Sequence, residues 1–293
     1  MTTPLLSVKN LSKTYRGPGG KDVLAVRGVS FDLAPREILG LVGESGSGKS
    51  TTGRLVLRLE DATTGEITFN GQRIDTLPQR ALRPVRREMQ VVFQDPYAAL
   101  NPRMTVGKFV SEPMEIHKIT AGRTETRDRV ADLFKQVGLD PSFMDRYPHE
   151  FSGGQRQRIN IARAISISPK LIVADEPITA LDVSIQAQIV NLFSDLQEQL
   201  GLAYLFVAHD LAMVRFLCHR VAVMLRGRIV EIAPTESLFQ NAQHPYTQAL
   251  ISAIPIPDPA RERARRALSY TPDEAALSGE LREVSPGHFV LQA

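Results

Sequence analysis

The run Gly43, Glu44, Ser45, Gly46, Ser47, Gly48, Lys49, Ser50 sets glycines, one lysine and hydroxyls at the spacing of a phosphate cradle. Glycines let the backbone curl so that successive N–H groups point inward at phosphate oxygens. A helix starting just after them presents its positive end to the same charge. Lys49 can then reach the β- and γ-phosphates, while Ser50, followed by Thr51, offers a hydroxyl to Mg²⁺. Further along, Leu171-Ile-Val-Ala-Asp175-Glu176 puts two carboxylates at the end of an apolar run. There Asp175 would hold Mg²⁺, directly or through water, and Glu176 would accept a proton from an attacking water or orient it. Either motif alone has a plainer reading, as a Gly/Ser-rich turn or as the polar start of a loop. Together they predict a site for a nucleoside triphosphate.

These residues need strands and helices to position them. Ile38–Val42, Leu171–Ala174 and Ala203–Ala208 are short β-branched or apolar runs bounded by Gly, Pro or charge, and they predict buried strands. Between the last two, Ile185, Ile189, Leu192, Phe193, Leu196 and Leu200 keep helical spacing, with Asp182 as N-cap and Gly201 as a stop. Strand, helix, strand in that order predicts a parallel pair with a right-handed crossover. The expected class is therefore α/β. From about 95 to 168 strand signals give way to helical ones, such as Val130, Leu133, Phe134 and Val137 ahead of Gly138, which predicts an inserted helical subdomain. Beyond Pro234 come His244-Pro-Tyr-Thr247, Pro255-Ile-Pro-Asp-Pro259 and a cluster of Arg261, Arg263, Arg265 and Arg266. That composition predicts a tail, partly extended by its prolines.

With 293 residues, 43% hydrophobic and 23% charged, the chain has ordinary globular composition, which excludes wholesale disorder and rod-like folds. Thirty-five basic against 32 acidic residues leave +3, too small an excess to imply nucleic acid. A single cysteine, Cys218, excludes an intrachain disulfide and any cysteine-built cluster within one chain, and suits a reducing compartment. The N-terminal Met1–Asn10 stretch lacks a secretory pattern. The best apolar stretch, Leu202–Ala208, is far short of the roughly 18–20 residues that cross a bilayer, so work at a membrane would need another chain to span it.

Phe151-Ser152-Gly153-Gly154-Gln155, followed by Arg156-Gln-Arg158, resembles the Leu-Ser-Gly-Gly-Gln signature in the ATP-binding subunits of ABC transporters. Its place inside the helical stretch and ahead of the carboxylate strand agrees with that family, and the resemblance covers about Val8 to Ile232. It implies a P-loop NTPase of the ABC ATPase type, with an ATPase domain over 1–233 and a C-terminal extension over 234–293. It also implies that two such domains pack head to tail, so that Ser152, Gly153, Gly154 and Gln155 contact ATP bound by the partner; a capping role for Ser152 is compatible with that. By position in the family pattern, Tyr15 would stack on adenine, and Gln94 would sense Mg²⁺ and the γ-phosphate. Asp182 would cross to the partner, and His209 would contact the γ-phosphate. Phe151 in place of Leu keeps an apolar anchor, and Thr179 keeps a hydroxyl, so neither departure threatens the chemistry. Glu176 and His209 are both present, which argues for a hydrolysing copy over a purely regulatory one.

Gln94-Asp-Pro-Tyr-Ala-Ala-Leu-Asn-Pro-Arg103, Tyr147 to Gln155, His244-Pro-Tyr-Thr247 and Leu281-Arg-Glu-Val-Ser-Pro-Gly-His288 resemble the bacterial oligopeptide/dipeptide importer ATPases. Many of those carry late cysteines able to hold iron-sulfur. None follows Cys218 here, so no such cluster is expected. The resemblance implies ATP and Mg²⁺, two membrane permeases, a second ATPase subunit (a different one or another copy) and an extracytoplasmic solute-binding protein. The place of work would be the cytoplasmic face of the inner membrane, with the helical subdomain, hinged at Gln94, grooved for a permease helix. The alternative is a non-transport ABC ATPase acting on nucleic acid or ribosomes. Such proteins usually carry two ATPase units or a long coiled coil, and neither is present. Arg83, Arg86 and Arg87, with the cluster at Arg261, Arg263, Arg265 and Arg266, could attract anionic lipid, but solvated faces with salt bridges are the simpler reading. The cargo is not legible, since in this architecture it touches the permeases and the binding protein.

Overall fold

The structure, a computed structural model, describes residues 3–17, 20, 22–255, 268, 270, 271 and 277–292. Arg261, Arg263, Arg265 and Arg266, and most of the proline-rich run before them, lie outside the described residues. The chain divides into two compact units, Met1–Thr76 with Phe206–Ala293, and Leu77–Leu205.

The first unit opens with two long antiparallel strands, β1 (Leu6–Arg16) and β2 (Asp22–Leu33), in a register that sets Val8 opposite Phe31. After β3 (Ile38–Val42), a loop leads into α1 (Lys49–Val56). The antiparallel pair β4 (Thr64–Phe69) and β5 (Gln72–Arg73) follows. β4 also pairs with β1, placing Leu6 opposite Phe69 and Val8 opposite Ile67. Their side chains are buried, so one face of this sheet is a core face and the other carries polar residues.

The second unit begins with α2 (Gln79–Glu88) and β6 (Met89–Val92). A helical region follows: α3 (Pro96–Ala99), α4 (Val106–Ile116), α5 (Arg123–Gln136), two short 3₁₀ turns and α6 (Gly153–Ile165). Val130, Phe134 and Val137 are buried as their spacing predicts, and Gly138 leaves the helix at φ 72°. Val106, Phe109, Val110 and Met114 of α4 are buried alongside Ile159, Ile161 and Ala162 of α6, and Arg163 bonds Glu112 at 2.8 Å. Next come β7 (Leu171–Asp175) and α7 (Val183–Leu200). α7 buries Ile189, Val190, Leu192, Phe193 and Leu196, whereas Leu200 is 42% exposed at the helix end, where Gly201 turns left-handed. β6 and β7 are parallel, Val92 opposite Ala174. β8 (Ala203–Ala208), wholly buried, is the strand along which the chain returns to the first unit.

There α8 (Leu211–Leu217) is followed by β9 (Arg220–Leu225) and β10 (Arg228–Pro234). β9 lies parallel to β3 and antiparallel to β10. The region past Pro234, whose composition predicts a tail partly extended by its prolines, is folded over its described residues, while most of the proline run itself lies outside them. It forms α9 (Thr235–Asn241), α10 (Pro245–Ser252) and a hairpin of β11 (Glu280–Ser285) and β12 (His288–Gln292). β12 pairs with β10, Glu231 opposite Val290, so the hairpin adds strands to the β10–β9–β3 sheet. Proline contributes to this order: Pro245 occupies the first turn of α10, where its missing N–H costs nothing.

Candidate functional site

In the first unit, β3 is buried on both faces and delivers the chain directly into the loop 43–48. A Cβ on Gly43 (φ 148°) would lie 2.1 Å from the Met224 carbonyl oxygen. One on Gly48 (φ 101°) would lie 2.4 Å from that of Ala25, so at both positions only glycine fits. α1 begins at Gly48 with no side-chain cap, so its first N–H groups rely on other partners. The buried Lys49 ammonium donates to the carbonyls of Gly43 at 2.8 Å and Glu44 at 2.9 Å. Ser47 Oγ is buried without a hydrogen-bond partner. A helix start without a side-chain cap, a buried cation and an orphaned hydroxyl are donors of the kind a phosphate site uses.

Tyr15, near the end of β1, is 36% exposed, and its hydroxyl binds Glu60 and meets the side chain of Thr51. Partial burial and the Glu60 carboxylate raise its phenol above the usual range. Lys13 Nζ lies 5.0 Å from the ring centre. An aromatic ring expected to meet a base thus stands beside the helix that starts the phosphate loop's far end. His209, exposed, follows the last residue of β8, and Asp210 caps α8 by accepting from Ala212 N at 2.8 Å.

The carboxylates lie in the second unit. Because Val92 pairs with Ala174, residues just beyond each strand emerge side by side. Gln94 Nε2 accordingly donates to Glu176 Oε2 at 3.0 Å, and Thr179 Oγ1 donates to the same oxygen at 3.2 Å. Glu176 takes φ 46°, a left-handed conformation uncommon for a residue with a side chain. Asp175, the last residue of β7, is buried. With its amide nitrogen on Glu176, Gln94 has its carbonyl oxygen as the atom suited to a cation. Gln94 and Asp175, both in this unit, thus offer oxygen donors, the kind a hard divalent ion takes, while Ser50 stands in the first turn of α1 in the first unit.

In the same unit Ser152 is the N-cap of α6. Its Oγ accepts from Gln155 N at 3.4 Å, while Gln155 Oε1 accepts from Ser152 N at 3.0 Å. Phe151 anchors this start by burial and an edge-on contact with Phe143, ring centres 6.0 Å apart. A Cβ at Gly154 would lie 2.5 Å from Ile185 Cγ2, and one at Gly153 3.4 Å from Leu181, so the glycines let α6 approach the start of α7 closely. Gln157, fully buried, donates to the Pro177 carbonyl at 2.7 Å, tying α6 to the loop that carries Glu176. Asp182 stands at the N-cap of α7, but its side chain makes no capping bond and is exposed, contrary to the capping role its position suggests. Gln186 replaces it as the fastening of that loop, donating to the Ile178 and Leu181 carbonyls at 3.2 and 3.0 Å.

The structure therefore groups Gly43 to Thr51 with Tyr15 in one unit, and Gln94, Asp175, Glu176 and the 152–155 turn in the other. Sequence reasoning missed Thr179 as a partner of Glu176 and Gln157 as a tie. A hydroxyl three residues past a carboxylate was the available signal for the first. It also missed Tyr246, whose hydroxyl accepts from Glu44 N at 3.1 Å.

The family description "ABC transporter" matches residues 26–179, and "Oligopeptide/dipeptide transporter, C-terminal region" matches residues 230–279. The chain is 52% identical over 296 residues to the oligopeptide transport ATP-binding protein OppF of Bacillus subtilis (strain 168), covering 99% of this chain and 97% of that one. It is 52% identical over 303 residues to the glutathione import ATP-binding protein GsiA of Escherichia coli (strain K12). That match covers 99% of this chain and 48% of the relative, about half its length. Among solved structures, the dimeric post-hydrolysis state of the ATP-binding cassette MJ0796 bound to ADP and Pi matches with TM-score 0.72 and 31% identity, over 78% of this chain and 98% of that one.

Proposed function

This chain belongs to the ABC transporter family and carries the C-terminal region of the oligopeptide/dipeptide transporters, and from that premise we propose how it works. It is an ATPase that energises import of peptides or similar small solutes through a membrane transporter. The observation that carries this reading is the correspondence with an oligopeptide transport ATP-binding protein along nearly the whole chain, C-terminal region included. The non-transport alternative has no comparable support.

In this reading the N–H groups of residues 43–51 and the Lys49 ammonium bind the triphosphate, and Tyr15 stacks on the base. Glu176, oriented by Gln94 and Thr179, takes the proton of the attacking water as its oxygen bonds the γ-phosphorus and the bond to the bridging oxygen breaks. A positioned base of this kind is worth about 10²–10⁴-fold in rate. Mg²⁺, held by Ser50, Gln94 and Asp175, would supply charge stabilisation on the phosphate oxygens. His209 contacts the γ-phosphate.

The turn 152–155 serves ATP bound by a second ATPase subunit. The exposed Ser152 at the start of α6 and the exposed Asp182 and Val183 at the start of α7 support that assignment. The solved relative named above is itself a dimer bound to ADP and Pi. The proposed organisation is an ATPase domain over 1–233, with a helical subdomain at about 95–168, and an extension over 234–293. Among the described residues no helix is long and apolar enough to cross a membrane. Two permeases do the crossing in this reading, a solute-binding protein delivers cargo, and this chain sits at the cytoplasmic face.

Reconstitution with the two permeases in vesicles tests the whole reading. Peptide-loaded binding protein should stimulate ATP hydrolysis, and E176Q should abolish it. An ATPase stimulated by RNA or ribosomes, and indifferent to the permeases, would overturn it.

A further inference from the structure

The C-terminal region touches the phosphate loop through a defined chain of hydrogen bonds. Glu231 on β10 is fully buried, and its carboxylate has three donors from two directions. Oε1 accepts from Gln243 N and from His288 Nε2, both at 2.7 Å, and Oε2 accepts from His244 N at 3.0 Å. That pins the turn ahead of α10. His244 then caps α10, its Nδ1 accepting from Tyr246 N at 3.1 Å. The ring of Tyr270 packs 5.8 Å from the rings of both His244 and Tyr246. Tyr246, 2% exposed, ends the chain of contacts by accepting the Glu44 N–H at 3.1 Å. Burial pushes its phenol up to about 12, which keeps it a neutral acceptor.

One peptide plane receives both sides of this arrangement. The Gly43–Glu44 peptide gives its N–H to Tyr246 and its C=O to Lys49 Nζ. A phosphate engaged by Lys49 competes for its ammonium with that carbonyl. Tyr246 is then the remaining grip on the plane, and Gly43, at φ 148°, has no side chain to resist rotation. A loop already fixed in its binding conformation loses less freedom when the ligand arrives.

We propose that Tyr246 is a positioning residue for nucleotide binding: its hydroxyl holds the Gly43–Glu44 peptide in the orientation of the phosphate cradle, so that the folded C-terminal region and the bound triphosphate stabilise each other. The proposal rests on the phosphate-loop reading above. Coupling of this kind is reciprocal, so nucleotide also strengthens the attachment of α10.

The test uses the full chain and compares wild type with Y246F, Y270F and K49A. ATP affinity is read by calorimetry with a non-hydrolysable analogue, and the Glu44 amide by hydrogen exchange. Y246F keeps the ring and removes one acceptor, so it should weaken nucleotide affinity by about three- to tenfold. It should also speed exchange at Glu44 and leave kcat at saturating ATP within about twofold. Y270F should match wild type. Wild-type affinity in Y246F, or an equal loss in Y270F, would overturn the positioning role. If wild type and K49A bind alike, the phosphate-loop reading itself fails, and the two failures are told apart.

Discussion

Gln94 and Glu176, 82 positions apart in the chain, meet through one hydrogen bond, Nε2 to Oε2 at 3.0 Å. The pairing of β6 with β7 makes this contact, because Val92 lies opposite Ala174 and each strand releases its polar residues just beyond. A carboxylate held this way is oriented through one oxygen, which accepts from both an amide and a hydroxyl.

Glu176→Gln retains length and an acceptor for Gln94, and removes the charge. Turnover should fall at least about 100-fold, the scale of a lost general base. ATP affinity should stay within a few fold, and light scattering should detect a nucleotide-dependent dimer. Unchanged turnover would remove Glu176 from the role of base.

Gln94→Ala leaves Glu176 with the Thr179 hydroxyl at 3.2 Å as its remaining partner from this pair. Losing one hydrogen bond to a charged group should lower kcat by about tenfold, with ATP affinity altered less. Thr179→Ala should show a smaller loss of the same kind. Single-turnover assays check the order of the two effects.

Gly154→Ala introduces a Cβ 2.5 Å from Ile185 Cγ2. Overpacking of this kind costs about 1–3 kcal/mol, read as a lower urea midpoint at unchanged slope. Adding Ile185→Ala should recover part of that loss. Strict additivity of the two changes would mean that α6 and α7 do not meet where the glycine places them.

Burial lowers the pKa of His244 despite the opposing Glu231 charge, and burial with Arg83 and Arg87 lowers that of His117. Both therefore stay neutral in the folded chain at pH values where the unfolded chain, near 6.5, already takes a proton. Stability from this source is present above about pH 6.5 and lost as pH falls below it. Urea midpoints from about pH 8 to about pH 5.5 should show the decline, and His244→Asn and His117→Gln should each flatten it. A midpoint that rises on acidification would contradict the assignment.

The strands at 38–42, 171–175 and 203–208 were legible in the sequence because continuous apolar runs of that length have few other uses. The helix 183–200 was legible from its spacing, and its end from a glycine that the structure turns to φ 66°. β11 was not: its residues are almost all exposed, and its position depends on β12 finding β10 far back in the chain. Asp182 shows the opposite limit, since residue type and position both suggested a cap, yet Gln186 carries the fastening. Tyr246 read as a family motif with no partner in view, because only the folded turn around Glu231 aims it at Glu44.

Glu231 and His288 are 57 positions apart. On a translating ribosome the carboxylate is therefore made well before its imidazole donor emerges, and nascent protein must wait for that arrival before α10 is fully secured. Acquisition of tight nucleotide affinity should be a late event in biosynthesis, and arrested chains released just short of His288 should bind ATP more weakly than those released just past it.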